Sequence, residues 1–340
     1  MEQIKKDLYA LCTAGGAAGM PEVATVCREL LTGLVDEVEQ DAMGNVLAVR
    51  YGANQDAPTL LLEAHLDEIG FLVTHIDDDG FLHVAAAGGV DERVLTAQPV
   101  VVHGDKPYCG VFCSTPPHLA KKDGELPELS DRGIDVCMTA EEARCCIPLG
   151  SRVTFASNVR MLSDTRITGK ALDDRAGIAA ILHCLRQLDS APAVNVAVAF
   201  CVQEELGCRG CVPAVRRLKP DAAIVTDVSF ALTPDATPHA CGKLGEGAMV
   251  GISPVLHTGM TSRLQGLAKS HNIPTQPEVM GGATGTDADQ ISKSLLGIPT
   301  ALLSIPQRYM HTPVETVDLQ DVAAVGNLMA AYIREGGATL

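Results

Sequence analysis

The sequence is poor in aromatic and basic residues. It contains no tryptophan, only 3% of its residues are aromatic, and 26 Lys and Arg stand against 42 Asp and Glu, for a formal net charge of −16. Proteins that bind nucleic acids need clustered basic side chains that neutralise phosphates, and often aromatic rings on which bases stack. Because the chain has few of either, no nucleic-acid partner is expected.

Long hydrophobic runs are also absent. No segment reaches the roughly 18 consecutive apolar residues of a membrane-spanning helix, so no membrane partner is expected. Residues 1–7 carry charges where a signal peptide has its apolar core, which argues against export. With 46% hydrophobic and 20% charged residues, the composition is that of a soluble globular protein, and a cytoplasmic location is expected.

Cysteine, in contrast, is not scarce, since the chain has twelve. Most stand singly among apolar residues, so we expect buried thiols in a reducing compartment. Cys208 and Cys211 have the spacing of a redox or zinc-binding pair. The sequence offers neither a second such pair nor a thioredoxin-like setting, so we expect no such function for them.

An α/β pattern occupies both ends of the chain. Apolar runs typical of buried strands alternate with segments typical of helices. The predicted strands are 46–50, 59–64, 194–202, 222–226 and 300–305, and the predicted helices are 1–16, 21–34, 176–188, 210–217, 288–295 and 318–334. This pattern predicts an α/β fold with a mixed, largely parallel sheet flanked by helices.

The middle of the chain has a different texture. Short β-type runs separated by glycines and Asp-Gly turns fill residues 69–163. Within them, 114–135 is polar and contains prolines, so we expect a mobile loop. A chain of 340 residues also favours about two domains. We therefore predict a small β-barrel-like domain at 69–163, inserted into an α/β domain formed by 1–68 and 164–340.

The chain is organised around the adjacent carboxylates of Asp173 and Asp174, which precede a run of small and apolar residues at 176–184. Two carboxylates side by side before a buried helix repel each other and lose solvation. A bound cation would offset that cost. The alternative is a helix-capping aspartate beside a solvated neighbour.

Further polar side chains fall where predicted strands end. His65, Glu204, Glu205 and Asp227 each follow an apolar strand, and His311 lies in the loop after another. Each alone has a structural explanation, as a surface histidine, a helix-start glutamate or a cap. In a largely parallel sheet, however, all five converge at one edge beside Asp173. Imidazoles and carboxylates without thiolates suit Zn, Co or Mn, and the set is large enough for two metals that share a carboxylate.

Five segments, at 64–70, 169–177, 203–210, 286–288 and 308–315, resemble the M42 family of dinuclear metallo-aminopeptidases. This family includes glutamyl aminopeptidases and proteins once labelled endoglucanase M. The segments follow the family order along nearly the whole chain. The resemblance implies a zinc-peptidase-like fold, two divalent ions per subunit (Zn or Co), and removal of N-terminal residues from short peptide substrates.

The resemblance also implies residue roles. Asp173 would bridge the two metals, with a cis peptide bond to Asp174. The other ligands would be His65 and Asp227 for one metal, and Glu205 and His311 for the second. Glu204 would be the general base, and Asp67 would orient the imidazole of His65. The assembly implied is a homo-oligomer, with twelve subunits favoured over two, whose subunits meet through the inserted domain.

Other assignments fit less well. A glycosidase needs two carboxylates facing across one bond, roughly 5–10 Å apart. Peptidases of the M20 and M28 types keep the first His and the bridging Asp closer than the 108 residues between His65 and Asp173, which leaves the M18 type as the weaker relative. A deacylase acting on a non-peptide amide and a catalytically idle scaffold stay open. Glu246, where the family usually has a basic residue, leaves the substrate preference open.

Overall fold

The computed structural model describes residues 1–17, 19–116, 118–119, 128–188 and 191–337. The helices are α1 (Glu2–Thr13), α2 (Glu22–Leu31), α3 (Ala140–Cys146), α4 (Leu172–Gln187), α5 (Cys211–Leu218), α6 (Thr258–Ser270), α7 (Ala288–Ile291) and α8 (Leu319–Arg334). Within the described ranges, no helix is long and apolar enough to cross a membrane.

The strands form a large sheet and a barrel. They are β1 (Glu37–Gln40), β2 (Val46–Arg50), β3 (Thr59–His65), β4 (Gly70–Ile76), β5 (Leu82–Ala87), β6 (Pro99–His103), β7 (Pro107–Phe112), β8 (Ile134–Asp135), β9 (Arg152–Phe155), β10 (Arg160–Met161), β11 (Arg166–Gly169), β12 (Asn195–Cys201), β13 (Ala222–Phe230), β14 (Ala248–Ile252), β15 (Thr275–Val279), β16 (Thr300–Arg308) and β17 (Glu315–Asp318).

The large sheet has the order β1-β2-β12-β3-β13-β16-β17-β11-β10, with β14 paired to β16 and β15 paired to β14. Its centre, β12-β3-β13-β16, is parallel, and the flanking pairs of β2 with β12 and of β16 with β17 are antiparallel. Strands β4 to β9 close a separate barrel in the order β4-β5-β8-β7-β6-β9. The predicted mixed α/β fold with an added β-barrel is confirmed.

Both faces of the sheet are covered because the central strands are apolar on both sides. On β3, Leu60 and Leu62 join the core that includes α1, α4 and α8, whereas Leu61 joins the core that includes α5 and α7. Helix α4 packs closely on α8, and a Cβ at Gly326 would lie 2.6 Å from the carbonyl oxygen of Ala180. The absence of a side chain at Gly326 on α8 therefore allows this close helix contact.

The barrel strands lie between Gly70 and Phe155, and its core includes the edge-to-face rings of Phe71, Phe112 and Phe155. Strand β10 pairs with β11 in the large sheet. The division of the chain at 69 and 163 stays a prediction. Within the predicted mobile loop at 114–135, residues 129–131 form a 3-10 turn and β8 belongs to the barrel. Residues 117 and 120–127 of this loop lie outside the described residues.

Several predicted elements differ in extent. Strand β13 continues four residues beyond the predicted end at 226, because its pairing with β16 runs on to Phe230 and Gln307. The helix predicted at 288–295 ends at Ile291. The sequence pattern also missed β14, α6 and β15, where Gly251 and Pro277 interrupt the strand signal.

Candidate metal centre

The carboxyl ends of the central strands bring His65 close to Asp227. His65 is the last residue of β3, and Asp227 lies on β13, the parallel neighbour of β3. The prediction that Asp227 follows the end of its strand is wrong, because β13 continues to Phe230. Both side chains are buried, and Nε2 of His65 lies 4.0 Å from Oδ1 of Asp227.

Asp173 lies between two imidazoles. Its Oδ1 is 2.9 Å from Nε2 of His65, and its Oδ2 is 3.4 Å from Nε2 of His311. The peptide bond between Asp173 and Asp174 is cis, as the resemblance implied. Asp174 has the capping role, since its Oδ1 accepts a hydrogen bond from the N–H of Gly177. The predicted capping role therefore belongs to Asp174, while its neighbour Asp173 is buried rather than solvated.

Glu205 joins this group from the loop after β12. Its Oε2 is 3.5 Å from Nε2 of His311, and one donor atom each of His65, Asp173 and Glu205 lies within 4.8 Å of the other two. The structure thus brings together the predicted ligands His65, Asp173, Glu205, Asp227 and His311. Imidazole nitrogens and carboxylate oxygens at these separations form a donor set that fits Zn or Co.

The electrostatics of the group favour a bound cation. Burial and the charge of Asp173 raise the pKa of Glu205 to about 8. Burial and the charge of Asp174 raise the pKa of Asp227 well above its ordinary value. Burial lowers the pKa of His65, but the hydrogen bond and charge of Asp173 outweigh it and raise that pKa well above its ordinary value. A divalent ion would offset this concentration of buried negative charge.

The basic residues of the central motif neutralise a different carboxylate. Lys170 Nζ is 2.6 Å from Oε2 of Glu68, and Arg175 donates to Oε1 of Glu68 at 3.0 Å. All three side chains are buried. All three residues lie in the segments 64–70 and 169–177 that resemble the family, but the sequence did not indicate a role for Glu68. The ion cluster joins the loop after β3 to the start of α4, and so fixes His65 relative to Asp173.

Glu315 is a second residue that sequence reasoning left without a role. Its Oε2 accepts a hydrogen bond from the N–H of Asp173 at 3.1 Å, and its Oε1 accepts one from the N–H of His311 at 3.0 Å. One buried carboxylate therefore holds the backbone of two candidate ligands. The signal was its place four residues after His311 in the final motif.

The inserted barrel reaches the same site. Nδ1 of His311 lies 2.8 Å from the carbonyl oxygen of Gly89, which follows β5. This contact leaves Nε2 of His311 facing Asp173 and Glu205. Metal-binding histidines commonly hold their second ring nitrogen in this way.

The two remaining predicted residues, Glu204 and Asp67, contact one another. The N–H of Glu204 donates to Oδ1 of Asp67 at 3.0 Å, and Oε1 of Glu204 accepts from the thiol of Cys208 at 3.2 Å. Nδ1 of His65 is 3.1 Å from the carbonyl oxygen of Asp67 but 3.8 Å from its carboxylate. The imidazole of His65 is therefore closer to the backbone of Asp67 than to its side chain.

Comparisons with known proteins agree with this architecture. A sequence model described as M42 glutamyl aminopeptidase matches residues 44–328. The lysyl aminopeptidase of Pyrococcus furiosus is 36% identical over 313 residues, 90% of this chain and 89% of the relative. The glutamyl aminopeptidase of Lactococcus lactis is 28% identical over 307 residues, 87% of this chain and 85% of the relative.

Solved structures give the same result. An aminopeptidase from Desulfurococcus kamchatkensis has a TM-score of 0.92 at 34% identity, with 98% of this chain and 95% of that chain covered. The TET1 peptidase of Pyrococcus horikoshii, described as assembling into a tetrahedron or a large octahedral shell, has a TM-score of 0.85 at 28% identity, with 98% and 99% covered. The chain therefore belongs to the M42 family and is an aminopeptidase, a hydrolase that acts on peptide bonds.

Proposed function

We propose that this aminopeptidase uses two divalent metal ions to remove N-terminal residues from short peptides. The observation that carries the proposal is the position of Asp173, whose two oxygens each face a different imidazole. A carboxylate with this arrangement is suited to bridge two ions. Asp227 lies 4.0 Å from the imidazole of His65, and Glu205 lies 3.5 Å from the imidazole of His311.

We assign the bridging role to Asp173, one ion to His65 and Asp227, and the second to Glu205 and His311. Zn or Co ions bound there would supply Lewis acidity and a water whose pKa is lowered towards about 7. The contacts of His311 with Gly89 and of Glu315 with the backbone at Asp173 support the positions of these donors.

Glu204 has the surroundings of a general base. It lies in the same loop as Glu205, and its charge acts on His65. Burial raises its pKa, which brings the carboxylate closer to the pH at which it has to exchange protons. Glu204 would take a proton from the attacking water and deliver it to the amine of the departing peptide. Its hydrogen bond to Asp67 positions the backbone for this role.

We also propose that the chain assembles into a homo-oligomer, with twelve subunits favoured over two. The support is a TET1 relative whose structure is a dodecamer, with a TM-score of 0.85. Light scattering on metal-loaded protein tests this, and a mass of 35.7 kDa across micromolar concentrations would contradict it. A cytoplasmic location is proposed because all twelve cysteines are free thiols.

The reaction class is tested with two substrate panels. Aminoacyl chromogenic amides, which carry a free N-terminal amine, should be cleaved after Zn or Co is added, whereas N-acyl amino acids should not. A chelator should abolish cleavage, and added metal should restore it. Turnover of only the N-acyl panel would assign a deacylase, and an active sample without bound transition metal would refute the metal-dependent mechanism.

A further inference from the structure

A second cluster of potential ligands lies next to the proposed dinuclear centre and has no role in it. Its centre is the carboxylate pair of Glu63, on β3, and Asp287, just before α7. Each side chain is only 1% exposed. Within the described part of the chain, neither oxygen of Asp287 has a hydrogen-bond partner, and Oε1 of Glu63 has none.

A buried pair of carboxylates without a bound proton or cation destabilises the folded state. Unpartnered buried carboxylates lose their solvation and repel one another. Lys170 and Arg175 do not neutralise the carboxylates of Glu63 and Asp287, because both bind Glu68. The pair therefore calls for a shared proton or a cation.

A thiol completes the cluster. The Sγ of Cys201 and one carboxylate oxygen each of Glu63 and Asp287 all lie within 4.8 Å of one another. The strand register explains this, since Glu63 pairs with Ala199 and Cys201 is two residues further along, on the same face of the sheet. Cys211, on α5, is buried in the same core, and the charges of Asp287 and Glu63 contribute to the raised pKa of its thiol after burial.

We infer that Glu63, Cys201 and Asp287 form a third metal site, distinct from the proposed dinuclear centre, which takes a thiophilic divalent ion such as Zn²⁺. Two carboxylates and one thiolate supply three ligands of a tetrahedral ion and leave its fourth position open. Binding releases the thiol proton of Cys201, because a coordinating thiol is deprotonated by the ion. The ion supplies a partner for the orphaned oxygens, and its two positive charges exceed the one negative charge that the Cys201 thiolate adds.

The proposed ligands come from segments that are far apart in the sequence. The sequence lacked a second cysteine pair, but the fold supplies Glu63, Cys201 and Asp287 from other segments. Asp287 is shared with a neighbouring group in which it lies within 4.8 Å of Glu204 and Cys208. An ion that holds Asp287 would therefore also fix the surroundings of the proposed general base.

Cobalt substitution separates this site from the dinuclear centre. A thiolate bound to Co²⁺ gives a charge-transfer absorption in the near ultraviolet, and the ligands proposed for the dinuclear centre include no thiolate. Co²⁺-loaded protein should show this absorption. Cys201→Ser should lose most of it, and Glu63→Gln, which conserves side-chain size, should weaken Co²⁺ binding at the same site.

Two controls complete the experiment. Cys184→Ser removes a buried thiol in the opposite core and should keep the absorption. Asp173→Asn disables the proposed dinuclear centre and should also keep it, so the result does not depend on the proposed function. A Co²⁺-loaded protein without the absorption, or an absorption unchanged in both Cys201→Ser and Glu63→Gln, would overturn the site and leave a shared proton between the carboxyl groups.

Discussion

The N–H of Glu204 donates a hydrogen bond to Oδ1 of Asp67, with 3.0 Å between nitrogen and oxygen. The carbonyl oxygen of Asp67 is 3.1 Å from Nδ1 of His65. One residue therefore contacts the loop of the proposed base through its side chain and a proposed metal ligand through its backbone. The position of Glu204 relative to the metal centre should depend on the Asp67 side chain.

Replacement of Asp67 tests this dependence. Asp67→Ala leaves the N–H of Glu204 without its acceptor, and we expect kcat to fall about 10- to 100-fold, the size of effect usual for residues that orient the groups around a metal site. Asp67→Asn keeps an oxygen at the Oδ1 position and should lose less. Both values come from steady-state kinetics at saturating metal. Equal kcat for the alanine variant and the unmodified protein would refute the positioning role.

Glu315 should control metal affinity. Glu315→Ala removes the acceptor for the N–H groups of Asp173 and His311. Because both belong to the proposed ligand set, we expect metal affinity to fall about 10- to 100-fold, with activity recovering in excess Zn or Co. The metal affinity is obtained by measuring activity as a function of metal concentration. An unchanged affinity would show that the two hydrogen bonds do not organise the ligands.

The ion cluster around Glu68 should dominate local stability. Glu68→Gln removes the negative charge and leaves Lys170 and Arg175 buried without it, which we expect to cost about 3–5 kcal/mol. The matched control is Glu39→Gln, which breaks the exposed pair with Arg217 and should cost at most about 1 kcal/mol. Urea denaturation gives both values. Equal losses for the two variants would contradict the assignment.

Because of the same cluster, we expect the free energy of unfolding to depend on pH. Burial raises the pKa of Glu68, but Lys170 and Arg175 outweigh it and lower that pKa below its ordinary value of 4.5. The unfolded chain therefore takes up this proton at a higher pH than the folded chain does. The stabilisation is fully present above the unfolded pKa and is lost as the pH falls through the folded pKa. Over that acidic range, Glu68→Gln should show a shallower loss of stability than the unmodified protein.

Much of the site could be predicted because its residues follow short apolar strands. The runs at 59–64 and 194–202 are recognisable from composition, and parallel pairing brings their ends together. Asp173 and the two histidines are rare residue types in such positions. Local sequence was sufficient there because each functional residue stands next to a recognisable strand or helix.

The supporting contacts could not be predicted, because they join distant segments. Glu68 meets Lys170 across 102 residues, and Glu315 meets Asp173 across 142. The Glu63, Cys201 and Asp287 cluster likewise forms only when three segments pack together. The local sequence pattern also failed to predict β15, because this strand contains a proline and is partly exposed. Among the described strands, β15 pairs only with β14.

In the proposed mechanism Glu204 acts as the base and Glu205 as a metal ligand. This division of roles is tested most directly by measuring metal content and kcat side by side for Glu204→Gln and Glu205→Gln. Glu204→Gln keeps size and hydrogen-bonding capacity but loses the basic carboxylate. It should retain its metal while kcat falls about 100-fold or more. Glu205→Gln should lose metal first and recover part of its activity in excess metal. Loss of metal by Glu204→Gln with retention by Glu205→Gln would show the roles reversed, and near-normal turnover of Glu204→Gln would contradict the mechanism.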